Sequence, residues 1–478
     1  MNGAGGIPRR RRAYAAAVQL RRAMVMGWLG LVACGQPERT ETPPTPPTST
    51  PAAVSQCPTD PVHTQSLPGT EARHETTSFW LERLGPEAAE AVLVPPPAIP
   101  ELNARFSDVI GAWRSIDDPI AGDRASIDAS IAERMGYLQA EVDAGRLVED
   151  DAGAFAAAQT VVASRTAVDH QRLVREETPV RCIPLSGGLF KEPKDPDFDR
   201  NACASLHPGE RVRVLARGPK GDWLYVHAGH TVGWVKDAVL SGRLSPSAID
   251  AWTHPSRLVP LRDDVTTQGG MRLRLGVNLP LLEKREDGFA VLVPGAQGPT
   301  PDVVSLDAAV SEGFPALTRA ALLDIVFSEI GDPYGWGGRA GERDCSRLVR
   351  DVMATFGFQL ARHSAVQAKL GVHGIDVSAL EPEAKRAAIR EAGARGVVLL
   401  YMKGHIMLYV GADGPRDYAI SAISEYLTPC EGGPDTTHRI DQVRVSTLAL
   451  GEDTERTAFL ERIVTLVVFD PPDVAPTG

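Results

Sequence analysis

The sequence predicts an α+β protein of several modules: a helical region, two small β-barrels, and a C-terminal domain in which helices pack on a sheet. Three observations support this reading. The 478 residues exceed what one ordinary hydrophobic core serves, so a chain of about three domains is expected. The apolar spacing changes along the chain, from a helical period in Ile127, Ile131, Met135, Leu138 and Val142 to two-residue alternation in Val212, Val214, Leu224 and Val226. Finally, 38 prolines and 45 glycines mark too many turns for an all-helical fold.

The N-terminal segment departs from the acidic average of a chain whose formal charge is −11. Arg9 to Arg12, Arg21 and Arg22 precede the apolar run MVMGWLGLVA, then Cys34 and a Pro/Thr tract. A basic stretch, about ten apolar residues and small residues at the end match a secretory signal, and the run is too short to span a bilayer. The residues LVAC resemble the bacterial lipobox, whose cysteine is lipidated and begins the mature chain. Residues 1–34 are therefore expected to be a signal peptide with lipidation at Cys34. The exported chain would lie in the cell envelope, lipid-anchored in the periplasm, and Gln36 favours the outer membrane. Residues 35–75 are rich in Pro, Thr and Ser and read as a disordered linker. The negative charge excludes a broad nucleic-acid footprint.

SFWLERLG opens a helical region over 76–175. Over 176–245 the runs VRVLARG, DWLYVHAG and TVGWVKD read as strands of a small barrel, in which Trp223, Tyr225 and Trp234 either line a peptide groove or fill the core. Over 246–305, MRLRLGVNLPLLEKREDGFAVLVPG places Met271, Leu273 and Leu275 on one strand face and ends in FAVLV, which predicts a second barrel. Both barrels resemble bacterial SH3-like domains. With Cys34 and Cys345 set aside, Cys57, Cys182, Cys203 and Cys430 allow three pairings. Cys182–Cys203 is preferred, because both fall in one small module whose thin core a bridge would support. No HExxH or paired CxxC motif occurs, so neither metal nor cofactor is expected.

Residues 306–472 carry the chemistry. Asp344 is a good N-cap, and Leu348, Val349, Val352, Met353 and Phe356 form one helical stripe ending before Gly357, which predicts a helix from Cys345 to about Phe356. Cys345 then sits at the positive end of that helix, where N–H groups and the macrodipole favour a thiolate. The run VVLLYMKGHIMLYVG reads as a strand with His405, Met407 and Tyr409 on one face and Ile406, Leu408 and Val410 on the other. An imidazole brought to the thiol would take its proton and return it to a departing amine.

GDPYGWGGRAGERDCSRLVRDVMATFGFQLARHSAVQAKLG (331–371) with GHIMLYVG (404–411) resembles the NlpC/P60 cysteine peptidases of bacterial cell walls, and RVSTLALGED fits their multidomain members. The resemblance implies a papain-like α+β core, with Cys345 as nucleophile and His405 as its base. It also implies substrate contacts at Tyr334, Asp344, Ser346, Arg362 and Ser364, Asp344 receiving the free amine of an N-terminal L-Ala. Two departures stand out. Where the family carries a second polar residue, commonly His, to orient the imidazole, the alignment gives Ser421, with Ser424 and His438 as alternatives. Arg347 replaces the glycine of DCSG and reads either as a pocket cation or as a solvated side chain. The implied function is a murein peptide hydrolase, an endopeptidase for D-γ-glutamyl–diamino acid bonds. The alternatives are a catalytically impaired peptidoglycan-binding lipoprotein on the same fold, and amidase or acyl-transfer chemistry on the same Cys/His pair.

Overall fold

The apolar alternation around His405 folds as a hairpin rather than the single strand expected. Val397–Met402 and His405–Asp413 pair antiparallel, and Lys403 with Gly404 turns the chain, Gly404 taking a φ of 86° that a side chain resists. In the computed structural model, which describes residues 57–471, this hairpin is the centre of a seven-stranded sheet. On one side lie Arg416–Thr428, Thr436–Thr447 and Val62–His63; on the other lie Ile463–Phe469 and His373–Asp376. The helix Cys345–Thr355 covers one sheet face, where Leu348, Val349, Val352 and Met353 meet Ile406, Leu408, Val410 and Ile420. The helix Pro382–Arg395 covers the other, with Ile389 against Val398, Leu400 and Met407. Each such buried aliphatic side chain contributes about 1.5–3 kcal/mol.

The expected helical region has no core of its own. Its first part, with Trp80 on Thr77–Leu84 and Ile99 and Phe106 on Ile99–Ser107, is absorbed into the core beneath the Cys345 helix. Its second part, Arg124–Asp143, lays Ile127 and Ile131 on Trp223, Tyr225 and Trp234 of the first barrel. Those aromatics are core, and the helix covers the face that a peptide groove would need. The linker expected through residue 75 is ordered from Cys57. A disulfide ties Cys57 to Cys430, and Val62–His63 pairs parallel with Thr436–Thr447. Residues 1–34 and Cys34, with their signal and lipobox reading, lie outside the described residues.

The first barrel is a six-stranded sheet that begins at Thr166–Leu173, upstream of the expected border at 176, because this strand pairs with Arg211–Arg217. Cys182 and Cys203 are disulfide-bonded within it. The second barrel has five strands and extends to Val310–Glu312, past the expected border at 305, because that strand pairs with Arg257–Pro260. MRLRLG does not form the strand expected. Leu273 enters the second barrel's core while Leu275 enters the core beneath the Cys345 helix, and Arg274 between them pairs with Asp263, so the segment bridges two modules. No helix among the described residues is long and apolar enough to cross a membrane.

A buried charge network joins the modules. Asp351, fully buried on the Cys345 helix, accepts hydrogen bonds from Arg343 Nε at 2.9 Å, Arg347 Nε at 2.8 Å and Arg350 Nη1 at 2.7 Å. Burial alone would raise its pKa, but Arg347, His207, Arg343 and Arg350 hold it well below the usual carboxylate range. Arg347 also donates to the Ser205 carbonyl of the first barrel at 2.6 Å, Arg350 to Glu210 of that barrel at 3.2 Å, and Arg343 to Asp263 of the second at 2.7 Å. Arg347 is thus neither pocket cation nor solvated side chain; it is 1% exposed and fastens helix to barrel. Removing Asp351 leaves three guanidinium groups without their shared carboxylate. Asp351→Asn is expected to lower stability by about 3–5 kcal/mol in urea denaturation, and a loss below about 1 kcal/mol would contradict this role.

Candidate active site

The first turn of the Cys345 helix is fixed by one carboxylate. Asp344 Oδ1 accepts from Arg347 N at 2.9 Å, Ser346 Oγ at 3.0 Å and Arg362 Nη1 at 3.0 Å, while Oδ2 accepts from Gly337 N at 3.1 Å and Arg362 Nη2 at 2.5 Å. Burial opposes its ionisation, yet Arg362 keeps its pKa low. Ser346 Oγ also accepts from Arg362 at 2.8 Å, and Gln367 Nε2 holds the Ser346 and Ala361 carbonyls at 2.8 Å each. Cys345 follows the cap, and the backbone N–H groups of Ile406 and Ser346 point toward its sulfur. The Ile406 contact brings the thiol to the strand residue next to His405; being a backbone group, it had no sequence signal.

His405 opens its strand, and its Nε2 lies 3.1 Å from Ser421 Oγ, leaving Nδ1 as the ring nitrogen for the thiol. Ser421 is fully buried on the neighbouring strand. The other two candidates are engaged elsewhere: Ser424 Oγ donates to Asp441 at 2.7 Å, and His438 Nε2 meets Thr428 Oγ1 at 2.9 Å. Phe459 packs on the imidazole with ring centroids 5.7 Å apart.

Both residues line an open cleft of about 700 Å³, with Tyr334, Asp344, Ser346, Arg362 and Ser364 also in its wall. The first barrel closes one end. Phe198 stands 5.4 Å from Trp336 and 6.4 Å from Tyr334 between ring centroids, and Ala202 and Cys203 complete that wall. GWGG explains the close fit: a Cβ on Gly337, whose φ is 63°, would come within 2.6 Å of the Ala202 carbonyl, and one on Gly338 within 2.8 Å of the Ser205 nitrogen. Lys403, Arg456, Phe459 and Arg462 also line the cleft, none of which the motifs had indicated. A larger groove of about 860 Å³, beside the helix Ile99–Ser107, is lined by neither cysteine nor histidine.

Two parts of the chain match family models: residues 188–236 match the SH3 domain (SH3b1 type), and residues 331–421 match the NlpC/P60 family. Residues 331–421 are an NlpC/P60 domain. That family consists generally of cell-wall peptidases, and membership implies a cysteine peptidase. An NlpC/P60 endopeptidase from Photobacterium damselae subsp. piscicida is similar in fold, with a TM-score of 0.69 at 14% identity over 86% of this chain and 100% of that one. An NlpC/P60 family protein from Bacillus cereus aligns with a TM-score of 0.43 at 15% identity over 63% of this chain and 100% of its own. No curated protein matches.

The NlpC/P60 domain departs from the activated thiolate expected at a helix start. Burial, then Asp344, pushes the Cys345 thiol up to about 12, outweighing the N–H donors and Arg362. Burial and then Arg462 lower His405 to about 4. Between these values the resting pair is a neutral thiol beside a neutral imidazole. His405 is available as a base above its lowered pKa and is lost as pH falls through it. The acid limb of kcat/KM is therefore expected nearer pH 4 than 6.5, and iodoacetamide should label Cys345 at pH 7 more slowly than a free thiol. An acid limb at 6.5 with rapid labelling would restore the thiolate reading.

Proposed function

We propose that the protein is a murein peptide hydrolase, a cysteine endopeptidase cleaving the D-γ-glutamyl–diamino acid bond of stem peptides with a free N-terminal L-Ala. The observation that carries this is the joint placement of Cys345, at a helix N-terminus, and His405, braced by Ser421, in the wall of one open cleft. In the reaction, His405 Nδ1 takes the thiol proton as the sulfur adds to the scissile carbonyl. Backbone N–H groups at the helix start receive the oxyanion. The imidazolium, its other N–H held by Ser421, then protonates the departing amine, leaving a thioester that water hydrolyses with the same base.

The aromatic wall of Phe198, Tyr334 and Trp336 supports a short N-terminus at the Asp344 end. An ammonium arriving there would share the carboxylate with Arg362. Arg347 does not line the cleft, so it neither narrows the pocket nor offers a cation to the substrate. The purified chain should release L-Ala-γ-D-Glu from L-Ala-γ-D-Glu-meso-diaminopimelate. Cys345→Ala should reduce the rate by roughly 10⁴-fold, and N-acetylation of the peptide by about 100-fold. Binding without turnover would favour the impaired lipoprotein, and cleavage indifferent to acetylation would remove the free-amine requirement.

The same proposal places the chain in the cell envelope, exported and held to the membrane by lipid on Cys34, with murein peptides as its partners and no nucleic acid. The basic and apolar segments before Cys34 support this. In a bacterial host the intact chain should fractionate with membranes and be released by detergent, whereas Cys34→Ser should appear in the soluble periplasmic fraction. Identical partition of the two would remove the anchor.

A further inference from the structure

The end of the cleft beyond His405 carries cations that the reaction scheme has not used. Arg462 lines the cleft and is half-buried at the end of the short helix Phe459–Arg462. Among the described residues its guanidinium makes no ion pair or side-chain hydrogen bond, and it lies over the Phe459 ring, 5.7 Å from the centroid. The same ring packs on His405 at 5.7 Å, so Phe459 sits against both the imidazole and the cation. Lys403, exposed and also unpaired, stands nearby: Met402 and Ile463 are partners across two strands, and Lys403 and Arg462 are their chain neighbours. Arg456, a third cation of the cleft wall, is already paired with Glu425 at 2.7 Å.

Arg462 belongs to the imidazole's side of the site. Its charge acts on His405, as that of Asp344 also does, while Asp344 and Arg362 act on Cys345 and the Phe459 ring joins Arg462 to the imidazole. The leaving amine must meet His405 to be protonated, so the leaving residue lies at this end. A diamino acid released from a γ-glutamyl bond bears a carboxyl group on the carbon next to that amine, and diaminopimelate carries a second at its far end. A half-buried guanidinium without a counter-ion is a ready partner for such a carboxylate.

Resting on the proposed peptidase reading, we infer that Arg462, assisted by Lys403, binds a carboxylate of the leaving diamino acid and thereby selects anionic residues on that side of the scissile bond. Three peptides test it: L-Ala-γ-D-Glu-meso-diaminopimelate, the same peptide with both diaminopimelate carboxyls amidated, and the analogue ending in L-Lys amide. The wild-type chain should prefer the first over the others by about tenfold or more in kcat/KM. Arg462→Gln should remove most of that preference, with kcat/KM falling about tenfold more on the first peptide than on the two amidated ones, and Arg462→Lys should restore part of it. Equal loss on all three peptides would assign Arg462 to the positioning of His405 and overturn the inference, as would a wild-type chain that does not distinguish the peptides. Calorimetric binding of the same peptides to Cys345→Ala and to Cys345→Ala with Arg462→Gln reads the contact without turnover. Absence of both turnover and binding would instead remove the peptidase reading on which the inference stands.

Discussion

The architecture depends on one carboxylate that no single module could keep. Asp351 is wholly buried, and taking such a group out of water costs several kcal/mol before any partner is counted. Three guanidinium groups recover that cost, and each extends to a barrel: Arg347 to the Ser205 carbonyl, Arg350 to Glu210 and Arg343 to Asp263. The network contributes little net stability compared with an apolar core, but a misdocked barrel would strand several charges at once. It therefore selects one orientation for the helix that presents Cys345. The barrels belong to the construction of the active site, since Phe198 and Ala202 of the first form its wall.

This dependence separates what could be read in the sequence from what could not. Periodicity located the Cys345 helix, the strands of the first barrel and the helix Arg124–Asp143, because each has an apolar face set by local spacing. Where a segment serves two cores at once, the pattern misled. Leu273 and Leu275 look like one strand face but enter different cores, and Trp80 and Phe106 look like a helical domain but complete the sheet's core. The ordered stretch after Cys57 was hidden by its polar composition, since its order comes from a bond to Cys430, far along the chain. In the site, the helix start and the strand alternation pointed to Cys345 and His405 and the family resemblance named Ser421, while Ile406 N–H, Phe459 and Arg462 became visible only once strands distant in sequence were paired.

The sequence argument for a thiolate was sound in its local physics and lost to a larger effect. A helix N-terminus stabilises an adjacent anion by about 0.3–1 kcal/mol when exposed, and up to about 2 kcal/mol in favourable buried geometry. Cys345 is deeply buried and beside the charge of Asp344, so desolvation and like-charge repulsion exceed that stabilisation. The cap that orients the first turn is thus the same group that discourages the thiolate. Arg362 moderates the conflict by pairing with Asp344, which leaves the thiol next to a near-neutral pair rather than a bare carboxylate.

A resting neutral thiol also suits the chemistry of the surroundings that export would impose. Among the described residues Cys345 is the one free cysteine, and the other four described there are paired as Cys57–Cys430 and Cys182–Cys203. In an oxidising compartment a low-pKa thiolate in an open cleft would be the preferred target of oxidants and disulfide exchange, both of which proceed through the anion. Burial that keeps the proton on sulfur suppresses those reactions. His405 can still draw the proton away once a carbonyl is held against the helix start, because charge then develops on an oxygen facing N–H donors rather than remaining on sulfur. The same desolvation that argues against an activated thiolate would thus let a cysteine proposed as nucleophile persist in a chain that carries two disulfides.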